Sequence, residues 1–308
     1  MILLTLVPAF MGAGLATQTA INSKLREKVL SPYLASAISF LIGSVFLMIL
    51  TIIQGSNPII PLHIFYKNPW WVWSGGVLGV IALTTNLLLF PKLGAIQTTI
   101  LPILGQVIMG IIIDSFGLIN SPKSSMTLFK VIGLTLVMLG VIISTKVSKS
   151  EIIEDKIKAN FLWKILGISS GMLISLQSAI NGYLGIILKS PVHSACVSFT
   201  IGAILLIILV MVLRIPFSNI HNAIKLEENP WWIWIGGLLG AMYVLGNAWL
   251  VPILGTGQVV IMALFGQLLF SALIEQFALF GALQKYISYF KIIGLAIIFI
   301  GVLLIRIF

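Results

Sequence analysis

Charged side chains are scarce in this chain. Asp, Glu, Lys and Arg make up 8% of its 308 residues, against about 25% in soluble domains. With 59% apolar residues and a mean hydropathy of +1.14, that scarcity excludes an ordinary water-soluble domain and points to an integral membrane protein. The single cysteine, Cys196, excludes an intramolecular disulfide and a cysteine-ligated metal cluster. Within an apolar run it reads as a small buried hydrophobe. His63, His193 and His221 occupy or border connections in no ligand spacing, so no metal site is expected. The sequence also lacks a Gly-Lys-Ser phosphate loop, which excludes ATP hydrolysis of that type. No cluster of acids, His or Cys at one depth marks a membrane enzyme, and no cofactor is implied. The net charge of +10 is no sign of nucleic-acid binding, because the basic residues fall between apolar runs, where headgroups and topology account for them. No basic residue precedes the first apolar run, so it reads as a span and not as a cleaved signal.

What the chain does contain is an element stated twice. Residues 68–79 read Asn-Pro-Trp-Trp-Val-Trp-Ser-Gly-Gly-Val-Leu-Gly, and 229–240 repeat nine of the twelve positions at an offset of 161. Each copy reads as a helix start capped by Asn, with Pro where no donor is missed. The indoles of Trp70, Trp71, Trp73 and of Trp231, Trp232, Trp234 suit the water–lipid interface, or else an aromatic cage for a quaternary amine. The glycines behind them suit close helix contact in lipid.

Ten apolar runs are long enough to cross about 30 Å as helices. They lie near 2–22, 32–53, 71–91, 95–117, 128–146, 161–183, 192–213, 233–252, 256–278 and 288–307. The echo extends through them. Gln18 and Asn22 return as Gln177 and Asn181, Ser31-Pro32 as Ser190-Pro191, and Ser39-Phe40 as Ser198-Phe199. Asn86, Gln97, Gly105 and Gln106 meet Asn247, Gln258, Gly266 and Gln267. The chain therefore divides into a first five-helix repeat at 1–146, a charged linker at 147–160 and a second repeat at 161–308. Five is odd, so the second repeat enters the membrane from the opposite side and the halves are inverted, an arrangement that recurs in secondary transporters. Counting Lys and Arg on each side gives thirteen with the linker and five with the termini. That bias predicts a cytoplasmic linker and both termini outside.

With ten helices in two inverted fives, the sequence resembles the drug/metabolite transporter superfamily, and within it the YdcZ-type inner-membrane exporters in their fused two-domain form. The Gln-x-x-x-Asn pairs, the Asn-Pro-Trp-Trp elements and the Gly-Gln centres at 105–106 and 266–267 carry the resemblance. Gly133-Leu134-Thr135-Leu136 with Gly140-Val141, echoed by Gly294-Leu295 with Gly301-Val302, is similar to the helix-packing motif of small multidrug resistance proteins. Those proteins carry a glutamate in the middle of their first helix, and this chain has no acid there. The resemblance implies an all-α membrane fold and transport as the class of activity, without naming a substrate.

Polar side chains in apolar runs are costly in lipid and therefore informative. Gln106 and Gln267 fall mid-helix behind a glycine and are the first candidates for contact with a small polar or zwitterionic solute. The competing reading is interhelical hydrogen bonding, worth about 1 kcal/mol each. Gln18, Asn22, Asn86 and Gln97 are expected at one depth, and Gln177, Asn181, Asn247 and Gln258 at the opposite depth. They would be either two ends of an alternating-access pathway or two structural knots. Asp114 and Glu275, the only acids inside apolar runs, are repeat partners near helix ends and read as interfacial anchors or as coupling-ion sites. Pro102, matched by Ala263, is expected to kink its helix. The reading is a ten-helix secondary transporter that moves its solute outward and whose partners are membrane lipid and a small solute. Its competitor is a non-transporting scaffold whose glycine-bearing helices hold a second copy or another membrane protein.

Overall fold

The computed structural model describes residues 2–55, 57–144, 161–225, 230–282, 284 and 286–307. Within these, the side chains of 2–5, 87, 90–100, 222, 225 and 306–307 lie outside the description. The linker expected at 147–160 falls outside the described residues. All elements described are helical: α1 (Ile2–Val29), α2 (Pro32–Ile53), α3 (Leu62–Lys67), α4 (Gly75–Phe116), α5 (Leu128–Ser144), α6 (Phe161–Ile187), α7 (Pro191–Val212), α8 (Ser218–Lys225), α9 (Gly236–Leu254), α10 (Thr256–Gln276) and α11 (Tyr289–Ile307). Five of these, α2, α6, α7, α9 (with the turn before it) and α10, are long and apolar enough to cross a membrane. Gly75–Asn86, Leu101–Phe116, α5 and Tyr289–Ile305 are shorter apolar stretches.

The Ser-Pro echo is a pair of helix caps. Ser31 Oγ accepts from the Leu34 N–H at 3.3 Å and Ser190 Oγ from the His193 N–H at 3.1 Å, with Pro32 and Pro191 opening α2 and α7. The Asn-Pro-Trp-Trp element behaves otherwise. Asn68 Nδ2 donates backward to the Ile64 carbonyl at 2.8 Å. Residues Trp70–Trp73 and Trp231–Trp234 form a turn of 3₁₀ helix, and the α-helices begin only at Gly75 and Gly236. Proline has no N–H and its carbonyl is taken by the third residue on, as in Val72 N to Pro69 O at 3.2 Å. The tighter turn satisfies the start without an Asn cap.

α4 runs through the position where two spans, 71–91 and 95–117, were expected. Its packing nevertheless reverses. Gly75 faces Asn181, Gly79 faces Gln177 and Asn86 Oδ1 accepts from Ser170 Oγ at 2.7 Å, so the first arm runs antiparallel to α6. Leu89 and Leu101 both touch Gly167. A straight helix would set them about 18 Å apart, so the chain turns back between them. Beyond the turn, Pro102 packs on Gly171 and the Gln106 carbonyl accepts from Ser175 Oγ at 2.7 Å, which runs along α6 in the other sense. Pro102 thus sits on the second arm, past the reversal, where it packs on Gly171. In the second half α9 and α10 separate openly at Gly255, whose φ of 91° a side chain would strain.

Contacts between the halves come in exchanged pairs. Gly12 packs on the backbone at Ala263 and Gly266 on Ala9, while Gly171 packs on Pro102 and Gly105 on Ile168. α2 meets its repeat partner α7 through Gly43 on Phe199 and Gly202 on Phe40, with the two rings stacked at 4.7 Å. α5 meets α11 through Gly133 with Gly301 and Gly140 with Gly294. In both pairs the contact order is antiparallel. These four motif glycines are therefore packed on one another inside the chain.

Candidate functional site

The doubled glycine element explains most of the buried amides. Gly236 and Gly240 leave room for Asn22 and Gln18 of α1, and Gly75 and Gly79 do the same for Asn181 and Gln177 of α6. Asn22 Oδ1 also accepts from Ser39 Oγ at 2.7 Å, and the Asn181 carbonyl accepts from Ser194 Oγ at 2.6 Å. Asn247 is buried, and its side-chain oxygen has no hydrogen-bond partner among the described residues. Among the described residues no hydrogen bond joins Gln18 or Asn22 to Asn86. Gln18, Asn22, Gln177 and Asn181 each find their space at a glycine of the other repeat and so meet helices of the opposite half. The side chain of Gln97 lies outside the described residues, while Gln258 flanks a small cavity near Asp114.

The larger cavity, about 370 Å³, lies between the C-terminal ends of α1 and α10. That volume falls within the roughly 300–1,000 Å³ of small-molecule sites. α1 and α10 are held in backbone contact at Gly12 and Gly266 and then part, which leaves the space. Thr19, Ser23 and Glu27 line it from α1 at i, i+4 and i+8 spacing on one helix face, with Lys24 beside them. Gln267, Ser271 and Glu275 line it from α10. Each charge at its rim has a partner. Lys24 Nζ donates to Glu27 at 2.8 Å, and Lys291 Nζ to Glu275 at 2.7 Å. With Lys291 counted beside the lining the charges balance, and the lining itself adds the hydroxyls of Thr19, Ser23 and Ser271 and the Gln267 amide.

The repeat-related face is shut. Thr19 and Ser23 are exposed, whereas their counterparts Ser178 and Gly182 are buried. Gln267 borders the cavity, whereas Gln106 is only 8% exposed. Where Ser271 lines open space, Gly110 packs directly on Gly257. Asp114, expected at an interface, is buried. Its Oδ1 accepts from the Thr256 N–H at 2.7 Å and from Ser121 Oγ at 2.9 Å, and its Oδ2 from the Gly257 N–H at 2.7 Å. Glu275, half-exposed and paired with Lys291, does none of this. Ser121, Thr256 and Gly257 were not singled out in the sequence. Their signal was the Gly-Thr-Gly at 255–257, a helix start whose first N–H groups need acceptors from elsewhere.

Of the tryptophans, Trp70 and Trp231 are exposed, as interface anchors would be. Trp71 stacks on Tyr183 at 5.6 Å, Trp73 on Phe65 at 4.2 Å, and Trp232 meets Phe280 edge-on at 5.5 Å. Each of these three rings thus has an aromatic neighbour.

The fold and the cavity define a multi-pass helical membrane protein with a polar internal site. The family whose profile matches is DMT_YdcZ, described as "Putative inner membrane exporter, YdcZ", and it matches twice, at residues 3–143 and 162–304. The chain belongs to this family and is a multi-pass inner-membrane protein. A solved crystal structure resembles it with a TM-score of 0.68 at 14% identity, over 98% of this chain and 94% of the other, which extends the likeness of fold to the whole chain. No curated protein matches it.

Proposed function

We propose that the protein is a ten-span secondary transporter of two inverted five-helix repeats, 1–146 and 161–308, which exports a small polar or zwitterionic solute by alternating access. The inversion is supported by the antiparallel packing of α2 on α7 and of α5 on α11. A two-fold axis relating antiparallel helices is perpendicular to them, and for spanning helices that axis lies in the membrane plane. The observation that carries transport is the inequality of the two mouths: the same architecture is open at Gln267 and shut at Gln106. By the distribution of basic residues, the open mouth beside Lys24 and Lys291 faces the cytoplasm, where an exporter takes up its load. The solute class follows from the balanced charges and hydroxyls of the lining.

The test is a thermal-shift screen of small polar and zwitterionic solutes on detergent-purified protein, since a bound solute raises apparent stability by mass action. A hit should be lost in Gln267→Leu and kept in Gln106→Leu, because only the first borders the open cavity. Unchanged binding in Gln267→Leu removes this cavity as the site.

A further inference from the structure

The shut mouth is held by a specific set of bonds. α10 begins at Gly255, so the N–H groups of Thr256 and Gly257 have no carbonyl one turn earlier to bond to. Asp114, brought from the other repeat by the second arm of α4, supplies one carboxylate oxygen to each at 2.7 Å. Ser121, from the segment after α4, donates to the same carboxylate at 2.9 Å and lies 3.3 Å from the Thr256 hydroxyl. Gly110 and Gly257 allow the backbones to meet. We propose that Asp114 and Ser121 form a latch on the start of α10, and that its release from Thr256 and Gly257 opens this mouth; the proposal rests on the alternating-access reading above.

A permanent cap would make the same bonds, so the argument lies in the counterpart. Glu275 occupies the equivalent position in the second repeat, holds Lys291, and borders an open mouth. One molecule therefore shows the architecture latched and closed at one end, unlatched and open at the other. Release also has a substitute for the lost bonds. A cavity of about 40 Å³ beside Asp114, lined by Lys130, Ser124 and Gln258 as well, has room for water near the carboxylate.

The experiment uses purified full-length protein with Cys196→Ala and single reporters, Thr19→Cys at the open mouth and Ser178→Cys at its buried counterpart. Both are reacted with a charged maleimide. The Thr19→Cys reporter should react readily and the Ser178→Cys reporter slowly. Adding Asp114→Ala should speed the Ser178→Cys reporter about tenfold, the population shift that one lost capping interaction can give, and Glu275→Ala should not. A disulfide between Ser121→Cys and Thr256→Cys should abolish the acceleration until it is reduced. An unreactive Thr19→Cys reporter would defeat the transport reading itself. A reactive Thr19→Cys reporter, with the Ser178→Cys reporter still protected in monodisperse Asp114→Ala protein, would overturn the latch alone. Acceleration that survives the disulfide would overturn it too, since the exposure would then be general loosening. If Asp114→Ala does not fold, the disulfide in the Asp114 background decides. Oxidation must slow the Ser178→Cys reporter, and no change refutes the latch.

Discussion

Gly171 and Gly266 sit where a methyl group would meet the backbone of Pro102 and of Ala9. Such a contact cannot be relieved by turning a rotamer, because the obstacle is main chain. Gly171→Ala and Gly266→Ala should each lower thermal stability in detergent, by roughly 1–3 kcal/mol on the scale of overpacked cores. Gly14→Ala is the control, since nothing lies within 4 Å of its missing side chain. Equal melting curves for the three variants would show that the crossings are looser than drawn. At the same scale, the buried amides were legible as costly residues in lipid but their partners were not. Gln18 and Asn22 meet glycines some 220 residues away, and a glycine carries no mark in sequence of what fills its space.

The helices themselves were largely readable, because a period of apolar residues is a local property. Helix ends depended on particular chemistry. The Ser-Pro starts were capped as the sequence implies, while Asn68 turned its amide back to Ile64 and left a 3₁₀ turn at Trp70–Trp73. The reversal within α4 shows the limit from the other direction. Two runs, 71–91 and 95–117, were legible there, yet α4 is a single element and the contacts of Leu89 and Leu101 with Gly167 reveal the turn. The first arm is fixed to α6 by the Ser170–Asn86 hydrogen bond at 2.7 Å. Ser170→Ala should cost about 0.6 kcal/mol and at most about 1.7, the range for interhelical bonds in membranes. A double-mutant cycle with Asn86→Ala on melting temperature checks it, and zero coupling would remove the bond as a fastener of the arm.

For the whole molecule, the duplication was visible from the 161-residue echo and its odd helix count. The inequality of the two mouths was not. Nothing in the pairing of Gln106 with Gln267 says that one is buried and the other borders a cavity; that depends on how the halves lean on each other. Orientation rests on the thirteen-to-five basic bias. In a Cys196→Ala background, single cysteines at Ser150 and at Phe308 report it. An impermeant thiol reagent on intact cells should label position 308 and spare position 150, and the reverse pattern inverts the topology.

The antiparallel pairing of α5 with α11 joins two copies of one ancestral motif, and because they share a polypeptide they are inherited together but mutate apart. In an assembly of two identical chains every substitution would strike both mouths at once. Here one position became Gly110 and its twin Ser271, one became Asp114 and its twin Glu275. On the proposed alternating-access reading, carrying both repeats in one chain lets each end be tuned by itself, so a preference for one resting direction could be written into the sequence one residue at a time.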